Sequence, residues 1–134
     1  MAKIDNFIYC LNVDRAPENQ NIVIIKGISC SLSPDFIPGN YTFAIAFSVF
    51  DIDEGEHNIK IQFVNPQEEV VANVDDIKII YVHEKNNIPN KWKGVNVTLS
   101  LNNVVIQSEG IYKTIVFFDG EKLNEKEIYI AKKA

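Results

Sequence analysis

With 134 residues, 46% of them hydrophobic and 23% charged, the chain has the size and composition of one globular domain, 1–134, able to bury a core without metals or disulfides. A net charge of -5 with Arg15 as the single arginine excludes a general electrostatic grip on nucleic acid or anionic lipid, both of which need clustered cations. The opening MAKIDNFIYC has no secretory pattern, and nowhere do about 18 uncharged apolar residues run together. The expectation is therefore a cytoplasmic protein with no membrane or nucleic-acid partner, Cys10 and Cys30 being buried free thiols. Its wealth of isoleucine and asparagine fits an AT-rich bacterial or phage genome.

In chain order, IDNFIYCLNV and NIVIIKGISCSL flank the polar DRAPENQN, which predicts a hairpin with a longer loop. NYTFAIAFSVF gives the strongest two-residue period, with Tyr41, Phe43, Ile45, Phe47 and Val49 alternating with mostly small residues, so that its large face must be buried. HNIKIQFV sets Ile59, Ile61 and Phe63 against Asn58, Lys60 and Gln62, and NPQEE then turns the chain back into VVANV. DIKIIYV and GVNVTLSLN read as two further strands. The clearest hairpin is YKTIVFF and EKLNEKEIYI joined by Asp119-Gly120, a pair suited to the positive φ angles of a two-residue turn. No apolar repeat at helical spacing is sustained, so the reading is an all-β antiparallel sandwich of eight or nine strands.

Across most of its length the chain resembles a bacterial family of single-domain proteins of unknown function. The resemblance rests on KIDNFIYC, on IPGNYTFAIAFSVFDIDEGEHNIKIQFVNPQEEVV and on EGIYKTIVFFDGEKLNEKEIYI. It lies in their order: a strand, a Gly-x-His strand at Gly55 to His57, an Asn-Pro turn at Asn65-Pro66 and a Gly-x-Tyr hairpin at Gly110 to Tyr112. It implies an immunoglobulin-like sandwich in the bacterial cytoplasm and brings no catalytic residues. His83 to Gly94 departs from the family's pattern, being longer and richer in lysine.

That stretch, HEKNNIPNKWKG, is also the leading candidate site, because long connections in a frame of short turns are disproportionately functional. Trp92 between Lys91 and Lys93 either forms an exposed anchor of the kind that dominates binding surfaces or folds back to plug the open end of the sandwich. In SPDFIPG, Phe36 and Ile37 sit between Pro34 and Pro38 and either present apolar surface or cap the core. The run Val104 to Ile106 breaks the two-residue alternation, which makes a homo-oligomer possible.

The chemistry-bearing residues are sparse. Asp51, Asp53, Glu54 and Glu56 in DIDEGEH are weak candidates for calcium, since Gly55 stands in the wrong place for a helix-loop-helix site and strands flank it, so no metal is expected. His57 and His83 have no zinc-ligand spacing, and His57 reads as a structural histidine where a strand begins. There is no Gly-x-Ser-x-Gly elbow, no Cys-His signature and no Gly-rich phosphate loop, so neither catalysis nor a cofactor is expected. The leading expectation is a non-enzymatic protein-interaction module with a protein partner. The alternative is a small-ligand or carbohydrate binder using Trp92 or Tyr81 as a platform, assisted by calcium in the acidic loop.

Overall fold

The computed structural model describes residues 1–134, with every side chain except that of Asn21. Nine strands follow one another: β1 (Lys3–Ala16), β2 (Asn19–Ser29), β3 (Ser31–Leu32), β4 (Gly39–Phe50), β5 (Gly55–Val64), β6 (Val70–Tyr81), β7 (Gly94–Ile106), β8 (Gly110–Phe118) and β9 (Glu121–Ile130). They form one sheet in the order β2-β1-β4-β7 and a second in the order β3-β9-β8-β5-β6. All neighbours are antiparallel except β3 and β9, which run parallel.

The alternation of β4 explains the packing between the sheets. Phe43, Ile45, Phe47 and Val49 are buried on the inner face and meet Ile59, Ile61 and Phe63 of β5, Tyr112 and Val116 of β8, and Ile128 and Ile130 of β9. Phe43 and Phe63 approach to 5.1 Å between ring centroids, and Phe63 stacks on Tyr112 at 5.4 Å. Each such side chain contributes about 1.5–3 kcal/mol by leaving water. Two buried polar links cross this apolar layer. The Tyr9 hydroxyl of the first sheet lies 2.6 Å from Thr114 Oγ1 of the second and donates to the Lys126 carbonyl at 3.1 Å. Burial pushes the Tyr9 phenol well above its ordinary range, despite the hydrogen bond from Thr114.

The Tyr112 hydroxyl donates to the Ser108 carbonyl at 2.8 Å, bracing the corner through which the chain leaves β7 and enters β8. That tyrosine corner, on two antiparallel sheets packed face to face, makes the sandwich immunoglobulin-like. Asp119 (φ 50) and Gly120 (φ 85) form the expected two-residue turn, with Phe118 opposite Glu121. In the NPQEE turn, Asn65 Oδ1 accepts from the backbone N–H groups of Gln67 and Glu69, which holds Glu68 at a positive φ.

Several boundaries differ from the reading of the sequence. DRAPENQN is no long loop: β1 runs on to Ala16, paired with Asn19, and only Pro17 and Glu18 turn. VVANV and DIKIIYV are one strand, β6, interrupted by a bulge where Asp76 takes φ 55. A second bulge, with Asn103 at φ 53 and its N–H on Thr42 Oγ1, accounts for the Val104 to Ile106 run. It lets Leu101, Val104 and Ile106 all face the core while Val105 faces out, so the broken alternation requires no partner chain. Cys10 is buried, its Sγ 3.6 Å from the Ala44 carbonyl, but Cys30, expected to be buried, is exposed because it lies at the break between β2 and β3.

β4 is buried on both faces, not one. Pairing between β1 and β4 stops at Cys10, and the distal half of the β1–β2 hairpin becomes an arm over the sheet's outer surface. There Arg15, Val23 and Ile25 face Ala46, Ser48 and Thr98 across a cleft of about 1030 Å3. The small residues that alternate along β4 leave the arm room to lie close.

Candidate docking surface at the 82–93 loop

β6 ends at Tyr81, opposite Gly55, and β7 begins at Gly94, opposite Phe50. Residues 82–93 therefore link the edge of one sheet to the edge of the other, along an open side of the sandwich. The link is held by its own polar groups. Asn90–Trp92 form a 3-10 turn in which Trp92 N–H donates to Pro89 O at 2.9 Å and Lys93 N–H to Asn90 O at 3.1 Å. Asn86 Oδ1 accepts from Ile88 N–H at 3.0 Å, Lys93 Nζ donates to the Glu84 carbonyl, and Lys93 O accepts from Asp51 N–H at 3.2 Å.

This frame leaves Ile80 (80% exposed), Val82 (68%), Ile88 (51%) and Trp92 (54%) around one cleft of about 570 Å3, with Phe50 and Val95 at its base. Trp92 is thus half exposed and does not plug the core. Lys3 and Lys91 place their ammonium groups 5.1 and 5.9 Å from its ring, a cation–π rim on an otherwise acidic protein. Lys91 therefore joins Trp92 at the surface, whereas Lys93 is turned inward to fasten the loop. Phe36 is exposed too, at 74%, but lies beside Gly39 and Lys133 at the opposite end of the sandwich, and Ile37 packs on the core. The two predicted binding loops are consequently not brought together.

Sequence reasoning missed Ile80 and Val82. Their signal was present: in Ile79-Ile80-Tyr81-Val82 a strand's alternation can send only Ile79 and Tyr81 inward, which leaves two large apolar residues outside.

Beside this surface, the 51–54 turn is gripped by both histidines. His57 Nδ1 lies 2.7 Å from Asp119 Oδ2 and its Nε2 lies 2.6 Å from the Asp53 carbonyl, so the doubly protonated ring satisfies both acceptors. The hydrogen bond to Asp119 raises the His57 pKa above its ordinary value of 6.5, against a smaller opposing effect of burial. His83 Nε2 lies 2.9 Å from the Ile52 carbonyl, and Glu54 Oε2 accepts from His83 N–H at 3.3 Å. The acidic side chains diverge: Asp51 pairs with the Met1 amino group at 3.0 Å and Glu54 turns to His83. Among the described residues, no three His, Cys, Asp or Glu converge in a group that could hold a metal ion. No helix among them is long and apolar enough to cross a membrane.

Comparison with known proteins adds a family. A family model described as a family of unknown function (DUF6941) matches residues 8–131. The chain belongs to that family. No curated protein matches the DUF6941 chain. Among solved structures it is similar to an immunoglobulin-like protein (PA1606) from Pseudomonas aeruginosa, at 14% identity and a TM-score of 0.45, over 98% of this chain and 97% of that one. For DUF6941, membership and fold agree with the resemblance carried by the Gly-x-His strand, the Asn-Pro turn and the Gly-x-Tyr hairpin.

Proposed function

We propose that this protein is a non-enzymatic interaction module of the bacterial cytoplasm that docks a partner protein on the surface formed by Ile80, Val82, Ile88 and Trp92. The observation that carries this reading is the exposure of four large apolar side chains around one cleft, on a loop fixed by its own hydrogen bonds. Ordering such a loop in advance lowers the entropic cost of association, and a tryptophan at the centre of an apolar patch is the residue type that concentrates binding energy. Lys3 and Lys91 on the rim favour a partner segment that offers an apolar side chain flanked by carboxylates. The net charge of -5 and the single arginine argue against nucleic acid as that partner.

Support for the absence of catalysis comes from how the reactive groups are engaged. Both ring nitrogens of His57 face loop and carboxylate acceptors, His83 is turned to the Ile52 carbonyl, and burial pushes the Cys10 thiol upward. Of the two platforms named for a carbohydrate, Tyr81 is buried and Trp92 alone is exposed.

The test is affinity capture from the native host, identification of the retained protein and reconstitution of the pair from purified components. Trp92→Ala and Ile88→Ser are each expected to weaken the reconstituted pair at least tenfold, roughly 1.4 kcal/mol, with circular dichroism unchanged. Undiminished affinity in both variants would remove the docking surface from this loop.

A further inference from the structure

The 51–54 turn, between the end of β4 and the start of β5, is held from two sides. On one side stands His57, with Nε2 2.6 Å from the Asp53 carbonyl and Nδ1 2.7 Å from Asp119 Oδ2 at the tip of the β8–β9 hairpin. On the other side the turn grips both ends of the 82–93 loop. Asp51 N–H donates to the Lys93 carbonyl, His83 Nε2 meets the Ile52 carbonyl, and Glu54 Oε2 accepts from His83 N–H. Asp51 stands at φ 59, a conformation that persists only where its surroundings hold it, and Gly55 at φ 130 has open space where a Cβ would stand. The turn thus has both a reason and the room to move once a tie is cut.

Neither of the two groups that face the His57 ring can donate. A carbonyl and a carboxylate each demand an N–H, and only the doubly protonated imidazole has two. A neutral ring leaves one nitrogen's lone pair pointing at an oxygen within hydrogen-bond distance, and that contact must open. The bond to Asp119 is charge-assisted, and Asp119 is pinned as well by the Asn58 N–H at 2.8 Å. The remaining proton therefore stays on Nδ1, and the Asp53 carbonyl is the acceptor released.

We propose that His57 is a pH latch on the docking surface: its imidazolium ties the 51–54 turn to the β8–β9 hairpin, and loss of one proton frees that turn and loosens the 82–93 loop it fastens. The groups around the ring set the window. Asp53 comes from the turn, Asp119 and Glu121 from the hairpin, and Asp51 and the Met1 amino group line the same cleft. Phe118 stacks on the ring at 5.0 Å, and β6 offers the uncharged Ile79 opposite. The hydrogen bond to Asp119, aided by the Asp53 carbonyl and by both charges, outweighs desolvation and keeps the proton on above the ordinary value of 6.5, so the latch lets go on the alkaline side. Its consequence for binding rests on the docking surface proposed above: a loosened loop must be re-ordered when the partner arrives, so the partner is held more tightly on the acid side.

The experiment uses the whole protein without a partner, so the latch is read whether or not docking is upheld. Proton NMR follows the His57 ring from about pH 5 to about pH 9. Hydrogen exchange of the Asp51 and His83 amides, corrected for intrinsic base catalysis, is followed over the same range. Protection at both amides is expected to fall about fivefold as the ring loses its proton, while that at the centre of β8 holds. His57→Gln, with its circular dichroism unchanged, is expected to show protection independent of pH. Asp119→Asn, which removes the charge that retains the proton, is expected to move both the ring titration and the loss of protection to lower pH. A wild type whose protection ignores pH would overturn the proposal. So would a transition that survives in His57→Gln, which would belong to His83, or one that stays in place in Asp119→Asn.

Discussion

His57 at the start of β5 is tied to Asp119 at the tip of the β8–β9 hairpin, with Nδ1 2.7 Å from Oδ2, although 62 residues separate them. Partial desolvation pulls Asp119 upward, but its hydrogen bonds with His57 and with the Asn58 N–H outweigh it, leaving the carboxyl below its ordinary value of 3.8. The histidine's folded pKa is raised, so its contribution is complete below about pH 6.5 and is lost as pH rises through that raised value. The carboxylate's folded pKa is lowered, so its contribution is complete above about pH 3.8 and is lost as pH falls through that lowered value. Replacing His57 with Gln should cost about 1 kcal/mol at mildly acidic pH, Asp119 being half exposed to solvent screening. Urea unfolding of both proteins across pH should show that gap closing on the alkaline side; a gap independent of pH would dissociate it from the charged pair.

Gly94 opens β7 directly against β4. A Cβ built there would stand 1.8 Å from the Val49 carbonyl oxygen, a backbone atom that cannot swing aside. Gly94→Ala is expected to destabilise by about 3 kcal/mol, by overpacking. Gly120, with nothing near its missing Cβ, is held only by its φ of 85°, and Gly120→Ala should cost about 1 kcal/mol. Denaturant midpoints of the two variants, compared with wild type, decide the order.

Removing either partner of the buried Tyr9–Thr114 link should be unequal in effect. Thr114→Val leaves the Tyr9 hydroxyl donating to the Lys126 carbonyl and is expected to cost about 1 kcal/mol. Tyr9→Phe strands the fully buried Thr114 hydroxyl and should cost about 2 kcal/mol or more. Equal losses in chemical unfolding would contradict this account.

Trp92 is the chain's single tryptophan, so its fluorescence reports on the 82–93 loop alone. Iodide is expected to quench the native protein efficiently, because the ring is half exposed and Lys3 and Lys91 draw the anion toward it. Lys91→Glu should reduce iodide quenching while leaving quenching by neutral acrylamide nearly unchanged. A native tryptophan shielded from both quenchers would contradict the exposed site.

What was legible in the sequence was local. The period of β4, the Asp119-Gly120 turn and the tyrosine of Gly110-x-Tyr112 each declare themselves within a few residues, because strand alternation and positive φ leave direct marks on residue choice. The bulges at Asp76 and Asn103 left no such mark, since aspartate and asparagine are equally at home in ordinary turns. That is why one strand read as two and Val104 to Ile106 suggested a covered face. The arm over β4 and the separation of Phe36 from Trp92 depend on which strands become neighbours, a non-local outcome that neither segment encodes alone.

The parallel pairing of β3 with β9 sets a timetable for synthesis. Ser31 finds its partner only at Tyr129, so the second sheet cannot close its final edge until that residue has been made. At about 5–20 residues per second, that is a wait of several seconds at least. Throughout it, the β1–β2 hairpin can form from contiguous residues, with the isoleucines of β2 in contact with solvent or with other nascent chains. Ribosomes that follow one another on a message bring such chains close together, so the exposed isoleucines of β2 have nascent siblings among their nearest neighbours.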